Sequence, residues 1–389
     1  MTRGSAGRVW FLRVLALGAA MALALLCVEV LVRVTGRDSP LVWQPDPQLG
    51  WRHIPGAATH WVEEGDGHVR INSLGMRDVE RTVAKPAGVF RIAVFGDSMT
   101  EAVQVDLGQT FTQLLEHRLT QRGLRVEVLN FGVNGYSPLQ GYLTYHLVGK
   151  AFAPDLVLHA VFTDNDIADC DPGLASGQVG APFARPDADA GLAIDYSRAE
   201  ASFSDYHREP IYAVRKLSAT YRMLGVLRRT HAGAAAFQAA TAAGGGVPKR
   251  YEVYLDPLRP RWQEAWNTYE RILSVFAQEV RSTGSQFAVI SVPAGQVVDE
   301  RAWNKILSDF PDMRSQQWRL DGPEERIRQL ANEHGVLLAE PIEDFRKEAG
   351  GAPMFFNGNG HMTPRGHEIM AAALGRFLDM AGLLPASGR

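Results

Sequence analysis

Cysteine is scarce: the 389 residues contain two, Cys27 and Cys170. Cys27 falls inside an apolar run that reads as membrane-buried, so the pair is not expected to form a disulfide, and Cys170 stands as a lone thiol. No Asn-x-Ser/Thr sequon occurs, which suits an exported bacterial domain. Strong charge of one sign is also missing. A formal net charge of −3 with interspersed signs leaves no basic footprint, so nucleic acid is not an expected partner. There is no Lys/Arg block, no heptad series and no repeat period.

Val14 to Val32 is nineteen residues of Val, Leu, Ala, Gly, Met and Cys, interrupted only by Glu29. At 1.5 Å per residue such a helix just spans a hydrocarbon core of about 30 Å. A cleavable signal peptide would have a shorter apolar core and a small-x-small motif after it. The Ala-x-Ala matches, such as Ala22-Leu23-Ala24, lie inside the run, and Leu25 and Leu26 before Cys27 spoil a lipoprotein-type site. The expectation is an uncleaved anchor. Arg3, Arg8 and Arg13 before the run outnumber Arg33 and Arg37 after it. The positive-inside rule then leaves a short cytoplasmic tail at 1–13 and an inner-membrane span at 14–34. The rest of the chain lies on the extracytoplasmic, periplasmic side.

Residues 35–88 are rich in turn formers and short β-prone pieces, read as a stalk with a small β-rich element. From 89 to 385, strands and helices alternate. Expected strands run from Val89 into Phe95, Val126 to Phe131, Leu156 to Phe162, Phe287 to Val292 and Val336 to Leu338. Expected helices run over 109–122, from Ser137-Pro138, over 263–282 and 323–334, and from Thr363-Pro364 onward. Five strands separated by helices predict a parallel three-layer α/β/α sheet. Residues 167–260 break the rhythm, ending in an Ala/Gly-rich run from His231 to Gly246. They read either as a lid or as a poorly ordered insertion.

Four blocks carry the chemistry. Gly96-Asp97-Ser98-Met99-Thr100 follows an apolar β-branched run, placing a hydroxyl at the carboxyl end of a buried strand, where open α/β sheets build their sites. Thr100 rules out a Gly-x-Ser-x-Gly elbow. Asn130-Phe131-Gly132-Val133-Asn134-Gly135, then Asn165-Asp166, and finally Asn359-Gly360-His361 complete the series. Asp164, Asp166, Asp169 and Asp171 form an acidic cluster, but without the spacing or glycine of a Ca²⁺ loop, so no metal is expected.

In the order Ser, Gly, Asn, His, these blocks resemble the SGNH (GDSL-type) hydrolase family. The resemblance implies a flavodoxin-like core, a serine ester hydrolase activity and no cofactor. It makes Ser98 the nucleophile and His361 the general base, with the oxyanion held by the N–H groups of Ser98 and Gly135 and the side chain of Asn165. That family usually carries an aspartate two or three residues before the histidine. Gly358 and Asn359 stand there instead, so the Asn359 amide oxygen is the expected partner of the His361 ring, as in Cys-His-Asn proteases. His367 falls on the following helix and reads as a surface or packing residue. The expected substrate is an acyl ester, either a small molecule or an O-acyl group of surface carbohydrate. Two alternatives stay open: a polysaccharide O-acyltransferase using the same residues, and a catalytically weak binding protein on this scaffold.

Overall fold

The computed structural model describes residues 3–35, 41–175, 180–186, 192–225, 227–228, 247–357 and 360–385. Helix α1 (Arg3–Val34) carries the apolar run. Within it, Gly7–Val34 is long and apolar enough to cross a membrane, its most apolar 18-residue window having a mean hydropathy of 2.5. Its side chains face outward along most of that length, with Leu17 73 % exposed.

The segment expected as a stalk forms two antiparallel hairpins. Strands β1 (Trp43–Asp46) and β2 (Gly50–His53) make the first, and β3 (Ala58–Trp61) and β4 (Gly67–Arg70) the second. Both are packed down: Val42, Val69, Ile71 and Val103 form a small apolar cluster that joins the hairpins to the domain that follows.

The core sheet contains β5 (Phe90–Phe95), β6 (Val126–Asn130), β7 (Leu156–Phe162), β10 (Gln286–Val292) and β11 (Leu337–Ala339). Their order is β11-β10-β7-β5-β6 and every neighbouring pair is parallel, as the alternation predicts. All seven β7 residues are buried, which is why that strand reads as a continuous apolar run. Helices flank the sheet. Helix α3 (Phe111–Gln121) packs against the closing helix Pro364–Met380, and α4 (Pro138–Leu147) against Pro260–Ser282. The latter buries Trp262, Trp266, Tyr269 and Phe276.

Helix starts follow local chemistry. Ser137 and Gln140 form a reciprocal capping box ahead of Pro138. The helix expected over 109–122 is split, because the Thr110 hydroxyl accepts the Gln113 N–H. That caps α3 at Phe111 and leaves Leu107–Gln109 as a separate 3₁₀ turn.

Much of the long insertion has regular structure. It contains a β8 (Phe183–Pro186) and β9 (Leu192–Asp195) hairpin, helices α5 (Ser197–Arg208) and α6 (Pro210–Leu217), and helical residues 219–225. Helix α5 lies on the β1–β2 hairpin. The Ala/Gly-rich run at 231–246 lies outside the described residues.

Candidate active site

Ser98 begins the short helix α2 (Ser98–Glu101) directly beyond β5, and Asp97 caps it by accepting the Met99 N–H at 2.9 Å. In the sheet order β5 lies between β6 and β7. The loops after these three neighbours therefore bring Ser98, Gly135 and Asn165 to one edge, as the block order implies.

The glycines of the β6 loop do different jobs. Gly132 sits hard against α2: a Cβ there would lie 2.5 Å from the Glu101 nitrogen. Its N–H is committed to Asn130 Oδ1 at 2.9 Å. Gly135 has φ +73°, a conformation that side chains resist. Its loop is braced from two sides: Glu101 Oε2 accepts the Asn134 N–H at 2.5 Å, and the Trp51 indole donates to the Asn134 carbonyl at 2.9 Å. Glu101 is itself buried, with Oε1 2.6 Å from His53 Nε2 and accepting the Trp43 indole N–H at 3.1 Å. Both aromatic donors and His53 belong to the first hairpin, so the amino-terminal segment holds the loop that presents Gly135.

The acidic cluster is shared out among structural partners. Asp169 accepts the Asn165 side-chain N–H at 3.1 Å, and Asp164 takes Arg250 at 2.5 Å and Gln296 at 2.6 Å. Asp171 holds the Gly173 N–H and Arg261. Asp166 accepts the Phe162 N–H at 2.9 Å. Burial pushes the Asp97 and Asp166 carboxyls up, and the facing Asp97 charge pushes Asp166 further. Burial also raises the Cys170 thiol well above its ordinary range, which makes it a poor nucleophile. Among the described residues no group of three His, Cys, Asp or Glu is arranged to hold a metal.

His361 reaches the serine. Its Nε2 lies 2.9 Å from Ser98 Oγ. The loop carrying it is pinned by a bridge between Phe355 and Met362, by the Phe356 N–H on the His361 carbonyl at 2.8 Å, and by Thr363 capping the closing helix. His367 is buried rather than at the surface. Its Nδ1 accepts the Phe111 N–H at 3.3 Å, and burial depresses it to about 3.

The residue that sequence reasoning missed is Glu64. Its Oε2 bonds to His361 Nδ1, and its Oε1 accepts the Gly360 N–H at 3.2 Å. The Nδ1 position assigned to Asn359 is thus filled by a carboxylate from the β3–β4 turn. Asn359 itself lies outside the described residues. Two glycines let that turn approach. A Cβ on Gly65 would lie 2.2 Å from the Gln104 carbonyl oxygen, and one on Gly67 2.1 Å from that of Val103. Both carbonyls belong to the segment leaving α2, so the acid is anchored to the helix that carries Ser98. In sequence, Glu63-Glu64-Gly65-Asp66-Gly67 looks like any solvated hairpin turn. Only the pair of glycines hints at close packing.

A serine, histidine and carboxylate linked in series at the carboxyl edge of a parallel α/β sheet define the serine-hydrolase type of site. The chain belongs to the GDSL-like lipase/acylhydrolase family, whose model matches residues 92–374. No curated protein matches the chain in sequence. Similar solved structures include LAE5, an alpha/beta hydrolase enzyme from the metagenome of Lake Arreo, Spain, at 12 % identity. It covers 79 % of this chain and 100 % of that one, with a TM-score of 0.40. The lipase/acylhydrolase from Enterococcus faecalis is also 12 % identical, over 77 % of this chain and 100 % of that one, with a TM-score of 0.40. Axe2, an acetylxylan esterase from Geobacillus stearothermophilus, is 11 % identical over 76 % and 96 %, with a TM-score of 0.39. Glu64 lies outside the matched residues.

Proposed function

We propose that the chain is a membrane-anchored serine ester hydrolase whose acyl-enzyme forms on Ser98. The observation that carries this reading is the series Ser98 Oγ, His361 Nε2 at 2.9 Å, and Glu64 on the opposite ring nitrogen. His361 Nε2 takes the hydroxyl proton as Ser98 Oγ bonds to the ester carbonyl carbon. The oxyanion is met by the N–H groups of Ser98 and Gly135 and by the Asn165 amide. Each such donor is worth about a hundredfold or more in rate. The imidazolium returns its proton to the departing alcohol oxygen as the C–O bond breaks. Water, deprotonated in turn by His361, then releases the acid and restores the serine. Glu64 fixes the tautomer with the proton on Nδ1 and stabilises the imidazolium by charge, which Asn359 would not do.

The apolar helix Gly7–Val34 supports the anchor, and the distribution of arginines around it supports an extracytoplasmic active domain. An envelope-facing esterase meets acyl esters of surface carbohydrate or lipid, and these form the proposed substrate class. Replacing Ser98 by Ala should abolish hydrolysis of a short-chain aryl ester while leaving the far-UV circular dichroism unchanged. Retention of most of the activity by Ser98→Ala would overturn the assignment.

A further inference from the structure

We propose that the helical part of the insertion, residues 210–225, lies on the surface of an anionic bilayer beside the anchor. This inference rests on the reading of α1 as a membrane span. Its first support is the contact between the two elements. Glu29, the one charged residue within the apolar run, accepts the N–H groups of Ala219 at 2.7 Å and Thr220 at 3.0 Å and the Ser218 hydroxyl at 3.0 Å. Arg33 donates to the Leu217 carbonyl at 2.6 Å and pairs with Glu29 at 2.7 Å. Val32 is only 5 % exposed, while Leu31 and Val34 beside it stay open. Glu29 lies three residues inside Val32, about 4.5 Å along the helix axis, so the insertion is fastened at the depth where hydrocarbon gives way to headgroups.

The second support is an apolar face with nothing packed on it among the described residues. Ile211, Val214, Leu217, Tyr221, Leu224 and Leu227 are all exposed, and Leu217 is 71 % exposed. Within each helical piece they recur at intervals of three, which places them along one side. None belongs to the hydrophobic core. The third support is charge. Lys216 and Arg228 are exposed, and no acidic residue occurs from Pro210 to Arg228, Glu209 lying just before them. An apolar stripe flanked by basic side chains at the end of a membrane span matches an interfacial helix on anionic lipid. Helix α5, packed on the β1–β2 hairpin, then links this platform to the Trp51 bond that braces the Gly135 loop.

The test uses the full chain with Cys27→Ser, carrying an environment-sensitive fluorophore at Leu217→Cys, Leu224→Cys or Leu17→Cys. It is reconstituted in vesicles of phosphatidylcholine with phosphatidylglycerol. Spin-labelled lipids quench either near the headgroup or at the chain end, and iodide quenches from the water. The expected result is loss of most fluorescence at 217 and 224 to the headgroup-proximal label, little loss to iodide, and quenching at 17 by the chain-end label. Quenching at 17 with iodide access and no lipid quenching at 217 and 224 overturns the interfacial platform but leaves the anchor standing. Shielding of 217 and 224 from both lipid label and iodide, growing with protein density, points to a second copy and also overturns it. No lipid quenching at 17 removes the anchor reading and the proposal with it.

Discussion

Glu64 and His361 are joined side chain to side chain across 297 residues of sequence, the carboxylate sitting on Nδ1 while Nε2 faces Ser98. Replacing Glu64 by Gln should preserve the shape of the turn and remove the charge. The amide N–H₂ can donate to Nδ1, which puts the proton on Nε2 and disables the base. The corresponding Asp→Asn change in a serine protease costs about 10⁴ in turnover, and a loss on the order of 10³–10⁴ in kcat is expected here. KM should stay nearly constant, because Glu64 acts through His361 rather than on the substrate. Steady-state kinetics on one aryl ester, with Glu64→Asp as a partial rescue, checks this. Parallel losses in kcat and folding would mean that Glu64 is only structural.

Gly67 is the hinge of that delivery. Its absent Cβ leaves room for the Val103 carbonyl, which a methyl group would meet at 2.1 Å. Gly67→Ala should push the β3–β4 turn off α2, costing about 1–3 kcal/mol as overpacking does and displacing Glu64 from His361. Chemical denaturation should show the stability loss, and kcat should fall further than the unfolded fraction explains.

His159 is buried in β7, and neither ring nitrogen has a hydrogen-bond partner among the described residues. Burial depresses it to about 3, from an ordinary value of about 6.5. The unfolded chain therefore binds a proton that the folded one refuses, and stability falls as pH drops from about 6.5 toward 3. His159→Leu should flatten this acid-side decline by about 1.4 kcal/mol per pH unit. Urea unfolding at pH 7, 6 and 5 tests it, and equal slopes for the two proteins would contradict it.

Asp166 works in the opposite sense. Burial and the nearby Asp97 charge hold its carboxyl well above the ordinary range. The folded chain keeps a proton that the unfolded one loses above about pH 4, so stability declines as pH rises from there. Asp166→Asn removes this titration. Relative to the parent, it should gain stability as pH rises through the range above about 4, measured by thermal unfolding. A constant difference across that range would place the cost elsewhere.

The sheet was readable because its strands are buried on both faces and written as unbroken apolar runs, as in Leu156–Phe162. The helix starts were readable where a hydroxyl and a proline stand together, as at Ser137-Pro138. Ser98 and His361, which the structure brings within 2.9 Å, and the proposed oxyanion residues Gly135 and Asn165 could be singled out because each sits in a block at a strand or helix end. Glu64 did not. Its position depends on a hairpin folding back over α2, a tertiary contact with no local periodicity, and the usual place for the acid drew attention to Asn359. With a carboxylate at Nδ1, the argument for a catalytically weak scaffold from a missing acid no longer applies. Glu29 reads in sequence as an interruption of an apolar helix about one turn from its end, where its carboxylate can reach the interface. Its partners lie about 190 residues away, beyond any local pattern.

Labelling with a fluorophosphonate, which reacts preferentially with an activated serine, tests the central claim most directly. The full-length protein and Glu64→Gln are exposed to the probe, and the adduct is located by peptide mass spectrometry. The account predicts a single adduct on Ser98 in the parent, forming at least tenfold more slowly in Glu64→Gln because the base is held in the wrong tautomer. No adduct on Ser98, or equal rates in the two proteins, would contradict it.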